Sequence, residues 1–181
     1  FHIPLQAGSD EVLKRMNRKY DIDFYKQKIE EIRNIKEDVS ITTDVIVGHP
    51  YETEELFLET IKTCKEIGFS KIHVFPYSKR DGTPSSRMPM QVEDIEKKNR
   101  SRILNQVSQE LEEKFYKEHL NKVAEVLIEE ANNVESVGFT TNYIKVKVQE
   151  KLNQNEMYKI KLIDYKDGQL IGKCVKEKVK S

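Results

Sequence analysis

The residues best suited to ligand chemistry lie between positions 44 and 55, where a buried β-run ends and a helix begins. Asp44 lies within the run, Gly48 forms the turn, and Glu52 precedes an acidic helix start. In parallel α/β sheets such corners lie beyond the carboxyl ends of the strands, where ligands bind. We therefore expect these three residues to form one wall of a ligand site. The alternative is that Asp44 only stabilises the turn and Glu52 only satisfies free amide groups at the helix start.

Two other loops follow strand-like segments and carry polar side chains. Gln6 and Ser9 follow the apolar segment 1–6, and Arg80 and Thr83 follow the β-run 71–77. Barrel enzymes place substrate contacts at such strand ends. For Ser9 a helix cap is the favoured alternative. For Gly82, which lies between Arg80 and Thr83, the alternative is that it serves only the turn.

The sequence predicts no metal site and no catalytic side chain. The two cysteines, Cys64 and Cys174, are far apart, and no CxxC or CxxxCxxC occurs, so neither a disulfide framework nor a cysteine-ligated metal is expected. Metal-ligand spacing is also lacking among the histidines, and we expect none of them to be a ligand. The histidines are His2, His49, His73 and His119.

The elements that must position these residues change in character near Asn121. Up to that point, strand-like runs alternate with helical periodicity, which predicts parallel strands joined by helical crossovers. Asp21 and Thr53 are expected helix caps, and Gly68 an expected helix stop. Beyond Asn121 apolar and polar residues alternate in short runs, which predicts a small antiparallel β-barrel. The predicted strands are 1–6, 41–47 (buried on both faces), 71–77, 123–130, 139–148, 158–165 and 170–177.

The overall charge is balanced, with 31 Lys plus Arg against 31 Asp plus Glu. No global field therefore attracts nucleic acid, and any basic surface is local. No apolar run is long enough to span a membrane and no signal peptide is evident, so no membrane partner is expected and a cytoplasmic setting is the default. Phe1 begins inside a strand-like segment, so we expect the chain to be a fragment of a longer protein.

Four ordered motifs resemble the radical S-adenosylmethionine methylthiotransferases. HIPLQAGSD at residues 2–10 resembles their HxPLQSGS element, and KRMNRKY at 14–20 their KxMxRxY. DVIVGHPYETEE at 44–55 resembles DxIxGFPGETEE, and HVFPYSKRDGT at 73–83 contains a close match to YSxRxGT. The tail resembles the TRAM domain, an RNA-binding β-barrel. HVFPYSKR and the GFTTNY of residues 138–143 are most similar to the subgroup that acts on threonylcarbamoyladenosine.

The resemblance implies the C-terminal half of a partial TIM-like radical S-adenosylmethionine barrel in residues 1–120, followed by a TRAM domain in residues 121–181. The implied activity is methylthiolation of C2 of N6-threonylcarbamoyladenosine at position 37 of tRNA. S-adenosylmethionine and [4Fe-4S] clusters are the implied cofactors, with the cluster ligands upstream of Phe1. We therefore expect the chain to be inactive alone and its unpaired sheet edge to seek the missing N-terminal half or a second copy. The alternative is a non-catalytic RNA-binding module from a truncated enzyme.

The resemblance also assigns roles to individual residues. Those implied at the cofactor are Gln6, Ser9, Asp44, Gly48 and Glu52. Those implied at the RNA are Arg80, Thr83, Tyr143, Lys145 and Lys147. Alternating lysines also occur on any solvated sheet face, and residues 122–181 contain 11 Lys and 9 acidic residues, a net charge of only +2. The motifs depart from the family pattern at Ala7, His49 and Tyr51, and Tyr51 replaces a glycine where the turn needs backbone freedom.

Overall fold

The computed structural model describes residues 1–178, which fall into two compact units, one ending at Glu112 and one beginning at Glu113. The first unit contains a two-stranded parallel sheet with helices, and the second contains a closed β-barrel. The predicted mixed α/β architecture with parallel strands and a separate small barrel is therefore confirmed. The partial TIM-like barrel and the domain limits 1–120 and 121–181 stay predictions. Among the described helices, none is long and apolar enough to cross a membrane.

In the first unit, helices alternate with two strands that pair in parallel. Thr42 lies opposite Lys71, and the pairing continues to Val47 opposite Pro76. The elements are α1 (Asp10–Arg15), α2 (Ile22–Ile35), β1 (Thr42–Val47), α3 (Glu54–Ile67), β2 (Lys71–Pro76), a 3-10 turn (Pro84–Arg87) and α4 (Asp94–Lys117), which continues into the second unit.

The expected strand at residues 1–6 is reduced to two isolated parallel bridges to β1, from His2 and from Gln6. Its continuous ladder is interrupted at Leu5, whose amide donates to the Thr43 hydroxyl at 2.8 Å and not to a β1 carbonyl. In addition, Gln6 adopts a left-handed backbone with φ 73°. The segment still lies against β1, since Gln6 N donates to Asp44 O at 2.9 Å.

The helix ends follow the predicted local signals. The Asp21 side chain accepts from Phe24 N, and the Thr53 hydroxyl accepts from Leu56 N. Gly68 closes α3 in the left-handed conformation, with φ 69°. These caps fix where α2 and α3 begin, and α3 in turn fixes the corner that follows β1.

β1 is buried on one face only, so the expectation that it is buried on both was wrong. Val45 and Val47 pack into a core with α3 and α4, including Phe57 and Leu104. On the other face Asp44 and its neighbours at 42 and 46 are partly exposed. Helices cover one side of the sheet, and the side bearing Asp44 is open.

The second unit is a barrel with the strand order β3-β4-β5-β7-β6. Its strands are β3 (Val123–Ala131), β4 (Ser136–Thr140), β5 (Lys145–Val148), β6 (Met157–Lys166) and β7 (Gln169–Lys178). The predicted single strand 139–148 is in fact the end of β4, a turn, and β5. The sequence predicted an antiparallel barrel, and this was wrong for one strand pair: β5 pairs with β7 in parallel. The sequence between these two strands includes β6, which returns the chain to the same direction.

Candidate functional site

The Gly48 corner has a backbone that only glycine adopts without strain. Its φ is +75°, and a Cβ there would lie 2.4 Å from Lys97 Cγ. Three residues later Tyr51 also adopts a positive φ, 68°. Tyr51 therefore keeps the left-handed turn that the family glycine would make, at a strain of about 1 kcal/mol. The Arg15 guanidinium lies 4.1 Å from the centre of the Tyr51 ring, which holds the ring against α1.

Glu52 fastens this corner to α4. Its Oε1 accepts from Gly48 N and from Arg100 Nη1, both at 2.8 Å, and Arg100 Nη1 also donates to the Glu52 backbone carbonyl at 2.8 Å. The Glu52 side chain is fully buried, and its Oε2 has no hydrogen-bond partner among the described residues. Burial raises the pKa of Glu52, while the Gly48 amide and Arg100 act in the opposite direction. These contacts give Glu52 a structural role at the turn, and a direct ligand contact stays a prediction.

Asp44 lies on the open face of the sheet. Its Oδ2 lies 3.2 Å from His2 Nε2, and His2 Nδ1 lies 2.9 Å from Thr42 Oγ1. In the parallel register Asp44 is opposite His73 on β2. The Asp44 carboxylate is therefore grouped with two histidines, not with the buried Glu52.

Gln6 lies beside Asp44 at the edge of the sheet, whereas Ser9 lies at the start of α1. The Gln6 side-chain oxygen accepts from Arg18 Nη2 at 3.2 Å, and the Gln6 backbone pairs with β1. Ser9 is the N-cap residue of α1, where the favoured cap interpretation placed it, but its side chain makes no cap hydrogen bond. The Ser9 hydroxyl is buried with no hydrogen-bond partner among the described residues, at a cleft of about 530 Å³ beside Thr63.

The five residues assigned to the cofactor are thus only partly brought together. Gly48 and Glu52 share the corner, where Glu52 lines a second cleft of about 420 Å³ together with Tyr51. Gln6 and Asp44 share the edge of the sheet through a backbone hydrogen bond. Ser9 lines neither of these places.

The loop after β2 is held by its own hydrogen bonds. Thr83 is the N-cap residue of the 3-10 turn, and its hydroxyl donates to the Arg80 carbonyl at 2.8 Å. Gly82 has φ +87° with open space around it, so it serves the turn. Arg80 is exposed. Arg80 is therefore the residue of this pair whose side chain is accessible to a partner.

In the barrel, Tyr143 lies in the turn between β4 and β5, and Lys145 is the first residue of β5. Tyr143 is 80% exposed and has φ 64°, and Ile144 N donates to Thr140 Oγ1 at 2.9 Å. Lys145 is exposed, whereas Lys147 is partly buried and forms an ion pair with Glu135 at 2.6 Å. An exposed aromatic ring beside a cation is suited to stacking on an unpaired base near a phosphate.

Neither cysteine fits an iron–sulfur cluster. Cys64 is completely buried in the first unit, and burial raises the pKa of its thiol to about 12. Cys174 lies on β7 of the second unit, and burial also raises its pKa. Cluster ligation uses several thiolates, and a raised pKa opposes thiolate formation. The cluster implied by the motifs is therefore not held by residues of this chain.

Sequence reasoning missed three contributors: Arg100, His2 and His73. Arg100 carries no local signal, because its partner is 48 positions away. The two histidines become neighbours only when segment 1–6, β1 and β2 are aligned side by side. Pairing Asp44 with His73 from the strand patterns could have found one of those contacts.

Comparison with known proteins gives consistent matches. Residues 1–64 match the family model described as the radical SAM superfamily. The chain is 45% identical over 150 residues to the threonylcarbamoyladenosine tRNA methylthiotransferase MtaB of Bacillus subtilis (strain 168), covering 80% of this chain and 33% of that protein. It is 37% identical over 175 residues to the protein of that name from Rickettsia prowazekii (strain Madrid E), covering 97% of this chain and 40% of the relative.

Another relative is named for a different modified nucleoside. The tRNA-2-methylthio-N(6)-dimethylallyladenosine synthase of Clostridium perfringens (strain SM101 / Type A) is 36% identical over 180 residues, covering 96% of this chain and 40% of the relative. The chain thus spans between a third and two fifths of the length of these relatives. Over nearly the whole chain the two kinds of relative are about equally similar to it.

Proposed function

We propose that the chain is part of an enzyme that methylthiolates tRNA, because residues 1–64 match the radical SAM superfamily model and most of the chain is similar to tRNA methylthiotransferases. The observation that carries the proposal is the similarity over 97% of the chain. We further propose C2 of N6-threonylcarbamoyladenosine at position 37 as the target. The 45% identity to the Bacillus subtilis relative and the HVFPYSKR and GFTTNY motifs favour this target over dimethylallyladenosine.

In this proposal the first unit, as part of a partial TIM-like barrel, contributes one wall of the S-adenosylmethionine site. Gln6 offers an amide and Asp44 a carboxylate at the open face of the sheet, and Gly48 forms the left-handed turn of the corner. Glu52 keeps that corner in place through Arg100. The bound cofactor would supply the methyl group and the radical chemistry, and the protein would position it and exclude water.

The barrel is proposed to be a TRAM domain that holds the tRNA. The exposed ring of Tyr143 would stack on an unpaired base, and Lys145 would contact a phosphate. Arg80 and Thr83 are proposed as further RNA contacts near the cofactor wall, and Lys147 as a weaker one, because Glu135 partly neutralises it. A tRNA substrate also favours a cytoplasmic setting.

Catalysis is proposed to need more protein than this chain contains. Its two cysteines cannot hold a cluster, and it spans at most 40% of the relatives described above. We propose that the remaining part of the enzyme, or a second copy of the chain, covers the open face of the sheet. The 181-residue chain alone should therefore yield no methylthiolated tRNA.

The proposal is tested by a chimera in which this chain replaces the matching segment of the Bacillus subtilis relative. The chimera is expressed in cells that lack their own methylthiotransferases, and tRNA nucleosides are analysed by mass spectrometry. We expect 2-methylthio-N6-threonylcarbamoyladenosine to reappear. A soluble, cluster-loaded chimera that yields only the dimethylallyl product would overturn the substrate assignment, and one that yields neither product would overturn the enzymatic role.

A second candidate function is a non-catalytic RNA-binding module. It is supported by the closed barrel with its exposed Tyr143 and by the lack of cluster ligands in the chain. An inactive chimera combined with tight, salt-dependent tRNA binding by the chain would favour this alternative.

A further inference from the structure

Three side chains with metal-binding atoms meet on the open face of the sheet: His2, Asp44 and His73. One ligand atom from each lies within 4.8 Å of the other two. His2 Nε2 and Asp44 Oδ2 are 3.2 Å apart, and the rings of His2 and His73 have centroids 5.8 Å apart. Two imidazoles and a carboxylate are a common ligand set for divalent transition metals.

The backbone makes this grouping rigid. Asp44 and His73 are direct partners in the parallel register of β1 and β2. His2 lies on the adjoining segment, bridged to Thr42 of β1, two residues from Asp44. Each ligand therefore comes from a different neighbouring segment, and side chains held by paired backbones are positioned more precisely than those on loops.

Thr42 provides the outer contact that a metal-binding histidine needs. Its hydroxyl lies 2.9 Å from His2 Nδ1, so the other ring nitrogen, Nε2, faces the Asp44 carboxylate. Outer contacts of this kind fix the orientation and the tautomer of the ring. At metal–ligand distances of about 2.0–2.1 Å, two ligands of a tetrahedral site lie roughly 3.3 Å apart. The His2–Asp44 separation of 3.2 Å fits that spacing.

We propose that His2, Asp44 and His73 form a binding site for a divalent transition-metal ion of the Zn²⁺ class. Three protein ligands leave a position open to water or to a ligand. In the chain by itself the ion has access from solvent, because the side chains of His2 and Asp44 are 46% and 29% exposed. The set contains no thiolate, so the site is distinct from an iron–sulfur centre.

The competing explanation is that protonated His2 and Asp44 form a simple ion pair while His73 only packs against the His2 ring. A proton would then occupy the place that the proposal gives to the metal. The two explanations differ in the part that His73 plays. Only the metal site requires a donor atom from His73.

The test uses the 181-residue chain after treatment with a chelator. Zn²⁺ binding is measured by titration calorimetry, and Co²⁺ is used as a visible probe of the coordination. We expect one ion per chain and a visible Co²⁺ absorption band that Zn²⁺ abolishes. His73→Asn and Asp44→Asn should each weaken binding at least tenfold. Thr42→Val, which removes only the outer hydroxyl, should weaken it about tenfold.

Asp81→Asn in the exposed loop after β2 is the matched control and should leave the affinity unchanged. His73→Asn also excludes chelation by the terminal amine with His2, because His73 is remote from the terminus in sequence. Circular dichroism checks that each variant is folded. The proposal is overturned if the folded chain binds no Zn²⁺, or if His73→Asn binds as tightly as the unsubstituted chain. Either result leaves the proposed tRNA methylthiolation untouched, because that proposal is tested in the chimera by its product.

Discussion

The two units differ in how completely their sheets are enclosed. In the barrel every strand has a neighbour on each side, and inward side chains such as Ile128 and Val146 are fully buried. In the first unit, β1 and β2 have helices on one face, whereas the other face contains Phe75, which is 49% exposed. A closed barrel has no unpaired edge, but an open sheet presents backbone and apolar groups to a partner.

The difference indicates that the two units have different roles. The barrel has a complete core, and its candidate RNA contacts Tyr143, Lys145 and Lys147 lie on β5 and the turn before it. The candidate cofactor residues of the first unit lie on or beside an incompletely covered sheet. The first unit should therefore be the one whose stability and ligand binding depend most on additional protein.

The largest effect is expected from breaking the buried pair of Glu52 and Arg100. Glu52→Leu leaves Arg100 and the Gly48 amide without their carboxylate, which should cost about 3 kcal/mol in the first unit. Hydrogen exchange followed residue by residue should show loss of protection in β1 and α3 and little change in the barrel. The double variant Glu52→Leu with Arg100→Met should recover part of the loss. Equal loss of protection in both units would contradict the inference that the two units are stabilised separately.

The reverse experiment destabilises the barrel alone. A Cβ at Gly138 would lie 2.2 Å from the Leu127 carbonyl oxygen, so Gly138→Ala should cost about 2 kcal/mol by overpacking. Gly168→Ala is the matched control, because Gly168 also lies in the barrel but has open space around it and only a positive φ to disturb. In urea unfolding monitored at barrel amides, the midpoint of Gly138→Ala should be well below the midpoint of the control. A loss confined to β1 would be inconsistent with this account.

A third prediction concerns binding, and it tests whether the barrel is the RNA-contacting unit. Tyr143→Ala removes an exposed ring and should weaken tRNA binding about tenfold, the lower part of the range for a stacked base. Tyr165→Ala is less suitable as a control because Tyr165 is partly buried in the barrel core. Phe24→Ala, which removes an exposed ring from the first unit, should leave the affinity unchanged. Fluorescence anisotropy with a labelled tRNA measures both variants.

The smallest effect is expected from pH and is confined to the first unit. Burial lowers the pKa of His49 below its usual range, and the nearby charge of Arg15 lowers it further. Between the folded and unfolded pKa values the unfolded chain binds more protons, so the unit loses stability as pH falls below about 6.5. His49→Phe should remove this contribution, whereas the barrel should respond equally in both proteins. Unfolding curves at pH 7 and pH 5.5 provide the measurement.

Local signals were read correctly from the sequence, and contacts across the fold were not. Asp21, Thr53 and Gly68 act where short-range patterns placed them, because caps and stops depend on a few neighbouring residues. Ser9 also lies at the N-cap position of α1, but its buried hydroxyl makes no cap hydrogen bond, which the local pattern does not reveal.

The candidate site shows the same limit. The Gly48 corner was predicted from one continuous segment. The ion pair between Glu52 and Arg100 could not be predicted in this way, because it depends on how α4 packs. β1 was expected to be buried on both faces because its residues are mostly β-branched, yet composition does not tell which layer covers each face. The turn that splits residues 139–148 was missed because apolar alternation continues across it.

The central proposal is that this chain contains the tRNA-binding barrel of a methylthiotransferase, and its most direct test is the affinity of the chain for tRNA over a range of salt concentrations. We expect log Kd to rise linearly with log salt and Lys145→Gln to lower the slope by about one. Tyr143→Ala should weaken binding at every salt concentration. Absence of binding at low salt, or binding that neither substitution changes, would contradict it.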